Sequence, residues 1–330
     1  MKKILYIFLL FIFLIIAFYL FLQASSLRRY KVNYGLSFNQ IYTNYLGLDW
    51  RNVYQDMILN LQPKYIRIAA MWSEVEKEKG FYDFADVDWM MKIAAENNVK
   101  VTLVVGQKAP RWPECHVPDW TNNLTTEEYK KELFEYIKTT VERYKDNSAL
   151  ELWQVENEAF IKFKFGNCLN YKSEFVAEEV ALTKKLDEKH WIMMTDSGEL
   201  STWMTASKYG DIFGSTLYRI VRSPSGRIWT YDLLPPAFYR IKAMLLKIPL
   251  ERFYIAELQA EPWFNNADPL TEDLATQSET MNLERLKKHF DYAERIGVNR
   301  VYVWGVEWWY WLKEKQNNPN YLEYIKNKIK

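Results

Sequence analysis

From Lys31 onward the chain alternates short apolar or β-branched runs with longer stretches of helical spacing. The runs VNYGLSF, KYIRIAA, VKVTLVV, LELWQV, WIMMTD, DIFGSTLY, RFYIAE and NRVYVWG predict eight strands. They are apolar along their length rather than strictly alternating, as expected when both faces of a strand are buried. Between them the period changes to that of a helix. Val87, Met90, Met91 and Ala94 share one face, as do Tyr129, Leu133, Tyr136, Thr140 and Tyr144. Leu283, Leu286, Phe290, Ala293 and Ile296 space a helix that Gly297 should close. Further helices are expected at 50–63, near 172–189, 201–208 and 236–247, and over 321–329. Eight strand–helix units in about 300 residues have the count and size of an α/β fold of the closed (β/α)8 TIM barrel kind. An open doubly wound sheet is the competitor, but GLSFNQ after the first run has one glycine where a dinucleotide turn needs three. No internal repeat or linker interrupts the chain after residue 31, so 31–330 reads as one barrel domain.

Residues 1–30 follow a different pattern. Ile4–Leu22 is an uncharged apolar run. At about 1.5 Å per residue as a helix, it nearly crosses a hydrocarbon core of roughly 30 Å. It exceeds the apolar region of a cleavable signal, and LQA lacks a small residue where cleavage prefers one. An uncleaved signal anchor is expected: a single transmembrane helix with the barrel outside the cytoplasm. Lys2 and Lys3 before the run face Arg28, Arg29 and Lys31 after it, so charge alone barely orients the helix.

Composition narrows the partners. The formal net charge is +1, which gives no basic excess for nucleic acid. Aromatic residues make up 17% of the chain, with 14 Trp, more than a core requires. Some should line a surface that binds a ligand with flat apolar faces. Three histidines and no Cys-x-x-Cys spacing give no metal site, and no cofactor is implied. Behind an export signal, Cys115 and Cys168 become a disulfide candidate, since they follow the third and fourth strands, which a barrel makes neighbours.

In such a barrel, function sits where strands end. The second strand ends near Arg67 and Trp72, and the third runs into GQKAPRWPE with Trp112. The fourth ends in Asn157 and Glu158, the fifth in TDSGE, and the sixth in Tyr218 and Arg219. The seventh ends at Glu257, before Trp263, and the eighth at Trp304. Two carboxyl groups flanking one bond are the minimal equipment for glycoside hydrolysis. One must hold a proton and the other stay ionised, and burial, like charge and nearby cations separate the two. Arg67 is the candidate cation for the ionised partner.

Asn-Glu after the fourth strand, Glu after the seventh, Arg on the second and Trp on the eighth resemble clan A of the glycoside hydrolases. That clan comprises retaining (β/α)8 enzymes, among them cellulases, β-mannanases, β-xylosidases and β-galactosidases. The segment YIRIAAMWSEVEKEKGFYDFADVDWMM is similar to its second βα unit, and the resemblance covers residues 34–310. It implies a retaining hydrolase of β-glycosidic bonds in a poly- or oligosaccharide. Glu158 would be the general acid/base and Glu257 the nucleophile. Asn157 would hold the sugar 2-hydroxyl, Tyr218 would bond the nucleophile, and Trp304 would floor the subsite. Ala159 stands where the clan often has Pro, and Gln107 and TLYR stand where many members carry His, so the subfamily stays unassigned.

Blander readings stand beside each residue. Arg67 also suits a buried structural ion pair, and about half of Trp72, Trp112, Trp120, Trp229, Trp263, Trp308 and Trp309 should serve packing alone. Glu156 and Glu261 are read as structural neighbours of the catalytic pair, and Glu199 and Glu307 as possible binders of sugar hydroxyls. Three alternatives remain open: a non-catalytic carbohydrate-binding barrel, a transglycosylase of cell-surface polysaccharide, and a metal-dependent barrel hydrolase.

Overall fold

Each of the eight apolar runs forms a strand, and the strands close into one parallel barrel. The computed structural model describes residues 2–111, 114–161, 168, 171–223, 225–264 and 268–329. The strands are β1 (Asn33–Ser37), β2 (Tyr65–Ala69), β3 (Lys100–Val105), β4 (Leu150–Val155), β5 (Trp191–Asp196), β6 (Ile212–Leu217), β7 (Phe253–Gln259) and β8 (Arg300–Trp304). Every strand pairs with its sequence neighbours, and β1 closes the ring on β8 with Gly35 opposite Tyr302. A Cβ on Gly35 would stand 2.8 Å from the Tyr302 ring, so this close approach needs glycine.

The barrel interior is packed from its lower end. Tyr65, Leu152, Met193, Ile212, Tyr254 and Tyr302 form an inner cluster. Arg300 crosses it, bonded to Glu151 at 2.7 and 3.0 Å, with its guanidinium 3.7 Å from the Tyr65 ring centroid. Outside the strands, the helix Ala85–Glu96 buries the predicted Val87, Met90, Met91 and Ala94. The helix Thr126–Tyr144 starts on a Thr125–Glu128 capping box. The helix Leu283–Ile296 ends at Gly297, whose φ of 96° is the left-handed cap that glycine adopts freely.

Several elements differ from the sequence expectation. The helix expected over 50–63 is α-helical over Trp50–Asp56 and widens to a π turn over Met57–Leu61. The helix expected near 201–208 shrinks to the single 3-10 turn Ala206–Lys208. After β6 the chain forms an antiparallel hairpin, Ile220–Arg222 with Ile228–Thr230, which the apolar pattern did not separate from the strand before it. The segment after β8 is a helix, Val306–Lys315, with Val306–Leu312 all buried. A stretch buried on every side carries no clear amphipathic period, which is why it was not legible as a helix.

Lys2–Ser25 is one continuous helix, long and apolar enough to cross a membrane by length and composition. Its side chains are exposed apart from the end that meets the barrel, where Leu22 is buried.

Candidate active site

The ends of β4 and β7 set the site, and each breaks the regular strand to do so. On β7, Tyr254 and Ala256 both face the barrel interior, so simple alternation would turn Glu257 outward. A register shift against β6 between Ile255 and Glu257 inserts an extra residue and turns Glu257 inward as well. On β4, the chain leaves the ladder at Val155, and Glu156 and Glu158 adopt φ of 60° and 45°. Left-handed backbone at two glutamates one residue apart is costly, and such strain persists only where surrounding bonds hold it. Those bonds are present. Glu156 accepts the backbone N–H groups of Gln107 at 2.8 Å and Lys108 at 2.6 Å, and the Glu158 N–H donates to Thr195 Oγ1 at 2.9 Å. Gly106, beneath Glu156, has no room for a Cβ, which would lie 2.5 Å from Oε1. Glu156 is therefore the clamp that shapes the strand exit.

Both Glu158 and Glu257 line one cleft of about 440 Å³, with Asn157, Tyr218, Trp263 and Trp304. Their surroundings differ. Glu257 receives Arg67 Nη1 at 2.9 Å on Oε1 and the Tyr218 hydroxyl at 2.8 Å on Oε2. Among the described residues Glu158 receives one donor, the neutral Thr216 Oγ1, at 3.1 Å on Oε1. Burial pushes the Glu158 carboxyl well above the usual carboxylate range, and the like charges of Glu114 and Glu257 add to the effect. Lys108 acts the other way on it, but this ammonium is engaged by Glu114 at 2.9 Å and by the Glu158 carbonyl at 3.2 Å. One carboxyl is thus held beside a cation and the other in a site that favours its protonated form.

Asn157 accepts through Oδ1 from Arg67 Nη2 at 2.7 Å, Gln154 Nε2 at 3.2 Å and Thr195 Oγ1 at 3.3 Å. Among the described residues its Nδ2 meets no hydrogen-bond acceptor, and Asn157 lines the cleft. Tyr218 meets Trp263 edge to face, with centroids 5.5 Å apart. Trp304 donates its indole N–H to Glu261 at 2.9 Å. Glu261 and Glu307 both grip Arg111, whose guanidinium lies between the Tyr42 and Trp304 rings, 3.6 and 4.7 Å from their centroids. Tyr42, Arg111 and Glu261 line the same cleft, as do Glu114 and Glu199.

Two of the sequence candidates occupy other places. Arg67 does not line the cleft; it is fully buried beneath it, where it holds Glu257, Asn157 and Gln154. There it holds in place two side chains that line the cleft, Glu257 and Asn157. Trp72 is likewise fully buried, stacked on Tyr136 with its N–H on Glu76 at 2.7 Å. Trp112 lies outside the described residues. Cys115 and Cys168 are joined by a disulfide, with Cα atoms 5.4 Å apart, across the loops after β3 and β4. Among the described residues, no cluster of His, Cys, Asp or Glu is arranged to hold a metal ion.

Residues not singled out in the sequence complete the site. Thr195, Thr216 and Lys108 bond Glu158 from neighbouring strands and loops, and Arg111 braces Glu261. Thr195 and Thr216 sit inside apolar runs, where a lone hydroxyl reads as filler. Arg111 was legible only as part of the loop after β3.

Residues 67–179 match the sequence model of glycosyl hydrolase family 10. The curated β-galactosidase LacZ of Lactobacillus acidophilus is 24% identical over 163 residues, covering 43% of this chain and 24% of that protein. The chain thus spans about a quarter of that relative's length. The crystal structure of xylanase 10B from Thermotoga maritima superposes with a TM-score of 0.56 at 17% identity, over 86% of this chain and 84% of that one. Xylanase 10B from Thermotoga petrophila, solved with xylobiose, gives 0.54 at 18% identity, over 83% and 82%. At these identities the structural likeness speaks for the fold. The resemblance to clan A of the glycoside hydrolases therefore stands on a family match as well as on a barrel, with the subfamily unassigned.

Proposed function

We propose that this protein is a retaining β-glycosidase, held to a membrane by its N-terminal helix, that cleaves β-linked poly- or oligosaccharides by double displacement. In the first step a Glu257 oxygen attacks the anomeric carbon while Glu158 gives its proton to the departing glycosidic oxygen. In the second, Glu158 takes a proton from water as that water releases the sugar from the Glu257 ester. Asn157 offers its amide N–H to the sugar 2-hydroxyl, and Trp304 and Trp263 supply indole surface against which C–H faces of sugar rings pack. Arg67 and Tyr218 hold and aim Glu257, and Arg67 also fixes Asn157.

The single observation that carries this reading is the pairing of two carboxyl groups in one cleft under opposite conditions. Glu257 is beside a buried guanidinium, and Glu158 is buried among like charges. A carbohydrate-binding barrel without turnover has no need of that contrast. The names of the relatives select the first sugars to test, xylosides and galactosides.

The test is covalent trapping with a panel of 2-deoxy-2-fluoro glycosides, followed by peptide mass analysis. The fluoro sugar slows release of the ester, so the nucleophile carries the label. Label on Glu257 is expected, and label on any other residue removes the assignment.

A further inference from the structure

The order of strands around the barrel divides the cleft into two sides. Between β4 and β7, one arc of the ring holds β5 and β6, and the other holds β8, β1, β2 and β3. A sugar chain that passes between Glu158, after β4, and Glu257, at the end of β7, runs from one arc to the other. Trp304, Tyr42 and Arg111 line the side of β8, β1 and β3. Ser197, Glu199 and Leu200 after β5, with Val221, Arg222 and Tyr231 after β6, line the opposite side. With the reacting sugar on Trp304, the departing part of the chain lies along β5 and β6.

The hairpin after β6 stands on that side and has no part in the reaction. Val221 lies opposite Trp229 in its antiparallel ladder. The pairing continues one step towards the barrel, where the Tyr231 N–H donates to the Arg219 carbonyl at 3.0 Å. Directly opposed residues of an antiparallel pair share a face, as do alternate residues along one strand. Val221, Trp229 and Tyr231 thus project from the same face. Val221 and Tyr231 line the cleft, so Trp229 carries its wall outward, 50% exposed and with the Arg227 guanidinium 4.4 Å from its ring centroid. Arg222, the third hairpin residue at the cleft, is tied to Glu279 at 2.8 Å and to the Thr276 carbonyl at 3.3 Å.

The hairpin is rooted on the strand that carries Glu257. Gln259 Oε1 accepts the N–H groups of Arg219 at 3.0 Å and Ile220 at 3.1 Å, and its Nε2 donates to the Ile220 carbonyl at 2.8 Å. The Ser223 N–H closes the turn on the Arg227 carbonyl at 2.8 Å. An aromatic ring held in place before binding gives up little freedom when a ligand packs on it.

We infer that Trp229 is an outer sugar-binding residue whose indole packs against a ring of the departing chain, so that the substrate is a chain long enough to reach from Glu158 to the hairpin. This rests on the glycosidase reading above. The occupant is the sugar chain because the indole shares its face with two residues of the cleft wall. The C–H face of a sugar ring suits an exposed indole, and the Arg227 guanidinium braces that indole from beside it.

The test uses full-length protein in detergent and the sugar that labels Glu257 in the trapping panel. Its β-linked oligomers, from the dimer to the hexamer, are compared with its nitrophenyl glycoside in the parent, Trp229→Ala and Trp229→Phe. The readout is the ratio of kcat/KM on each oligomer to kcat/KM on the nitrophenyl glycoside, which a general loss of folded protein leaves unmoved. The ratio is expected to rise with chain length in the parent. In Trp229→Ala it should fall by about three- to tenfold on the longer chains, the scale of one lost aromatic contact, and Trp229→Phe should keep most of it. A ratio that does not rise in the parent, or that Trp229→Ala leaves unchanged, overturns the inference and leaves the glycosidase reading standing. Nitrophenyl oligosaccharides lengthen only the retained side, so a loss that grows with their length places Trp229 on that side and also overturns it. Failure of every sugar in the panel to label the protein or to be turned over removes the glycosidase reading and the inference together.

Discussion

Arg67 Nη1 stands 2.9 Å from Glu257 Oε1, and both side chains are shielded from solvent. The same guanidinium holds Gln154 and Asn157 at 2.7 Å each. The planar fork of an arginine can serve these acceptors together, whereas the point charge of a lysine cannot. Arg67→Lys is expected to lower kcat on aryl glycosides and leave a folded protein. Arg67→Met strands a buried carboxylate and should cost about 3–5 kcal/mol of stability. Glu257→Gln keeps one acceptor oxygen for Arg67 but presents an NH2 donor to Tyr218 in place of the other. It should remove activity by a factor on the order of 10⁴–10⁶, a loss far larger than its loss of stability accounts for. Urea unfolding measured alongside kcat separates the positioning residue from the proposed nucleophile.

Glu158 must carry a proton to act as an acid, and burial among like charges raises its pKa. kcat/KM should therefore fall as pH climbs through that raised value and the proton is lost. Glu158→Gln should abolish this alkaline limb. It should also cut the rate by about 10²–10⁴ on substrates with poor leaving groups. A nitrophenyl glycoside, whose leaving group needs little protonation, should lose far less in its first step. Equal losses on both substrates would count against Glu158 as the acid.

The barrel was legible because burial of both strand faces leaves a signal that local sequence carries: eight apolar runs at regular intervals. Glu158 and Glu257 could be singled out as candidates because a carboxylate after such a run is costly unless partners, solvent or chemistry accept it. What could not be read is what depends on contact between distant strands. Arg67 and Trp72 stand at rim positions, yet one lies beneath the cleft and the other behind it, and chain position alone does not give that depth. The shift that aims Glu257 inward is a pairing property of β6 and β7, invisible in RFYIAE. The Arg111, Glu261 and Glu307 cluster joins two separate loops and the helix after β8, each unremarkable alone.

The Cys115–Cys168 disulfide closes a segment of 53 residues. The chain-entropy relation gives about 4 kcal/mol for a loop of that length. Reduction should therefore lower Tm by several degrees in calorimetry. Glu114 adjoins Cys115, and its charge is one cause of the raised Glu158 pKa. Freeing this loop should also move the alkaline limb of the pH–rate profile to lower pH. A profile unchanged by reduction would show that Glu114 stays in place without the crosslink.

Glu199, on the cleft wall after β5, is pushed up to about 7, chiefly by burial, although the Tyr239 hydroxyl at 2.5 Å and the charge of Arg219 favour its ionised form. The folded protein thus binds a proton here between the ordinary glutamate value and about 7, where the unfolded chain does not. Stability must then fall as pH rises through that window, because the folded state has to give up a proton that the unfolded state has already lost. Glu199→Gln removes the titration. Its Tm should match the parent near pH 4, where the glutamate is protonated in both states, and exceed it by a widening margin up to pH 8. In the cleft, a carboxyl that loses its proton near neutrality changes from donor to acceptor towards a sugar hydroxyl. KM of the parent should therefore vary between pH 6 and 8, and KM of Glu199→Gln should not. A parallel pH dependence of KM in both proteins would assign the change to another group.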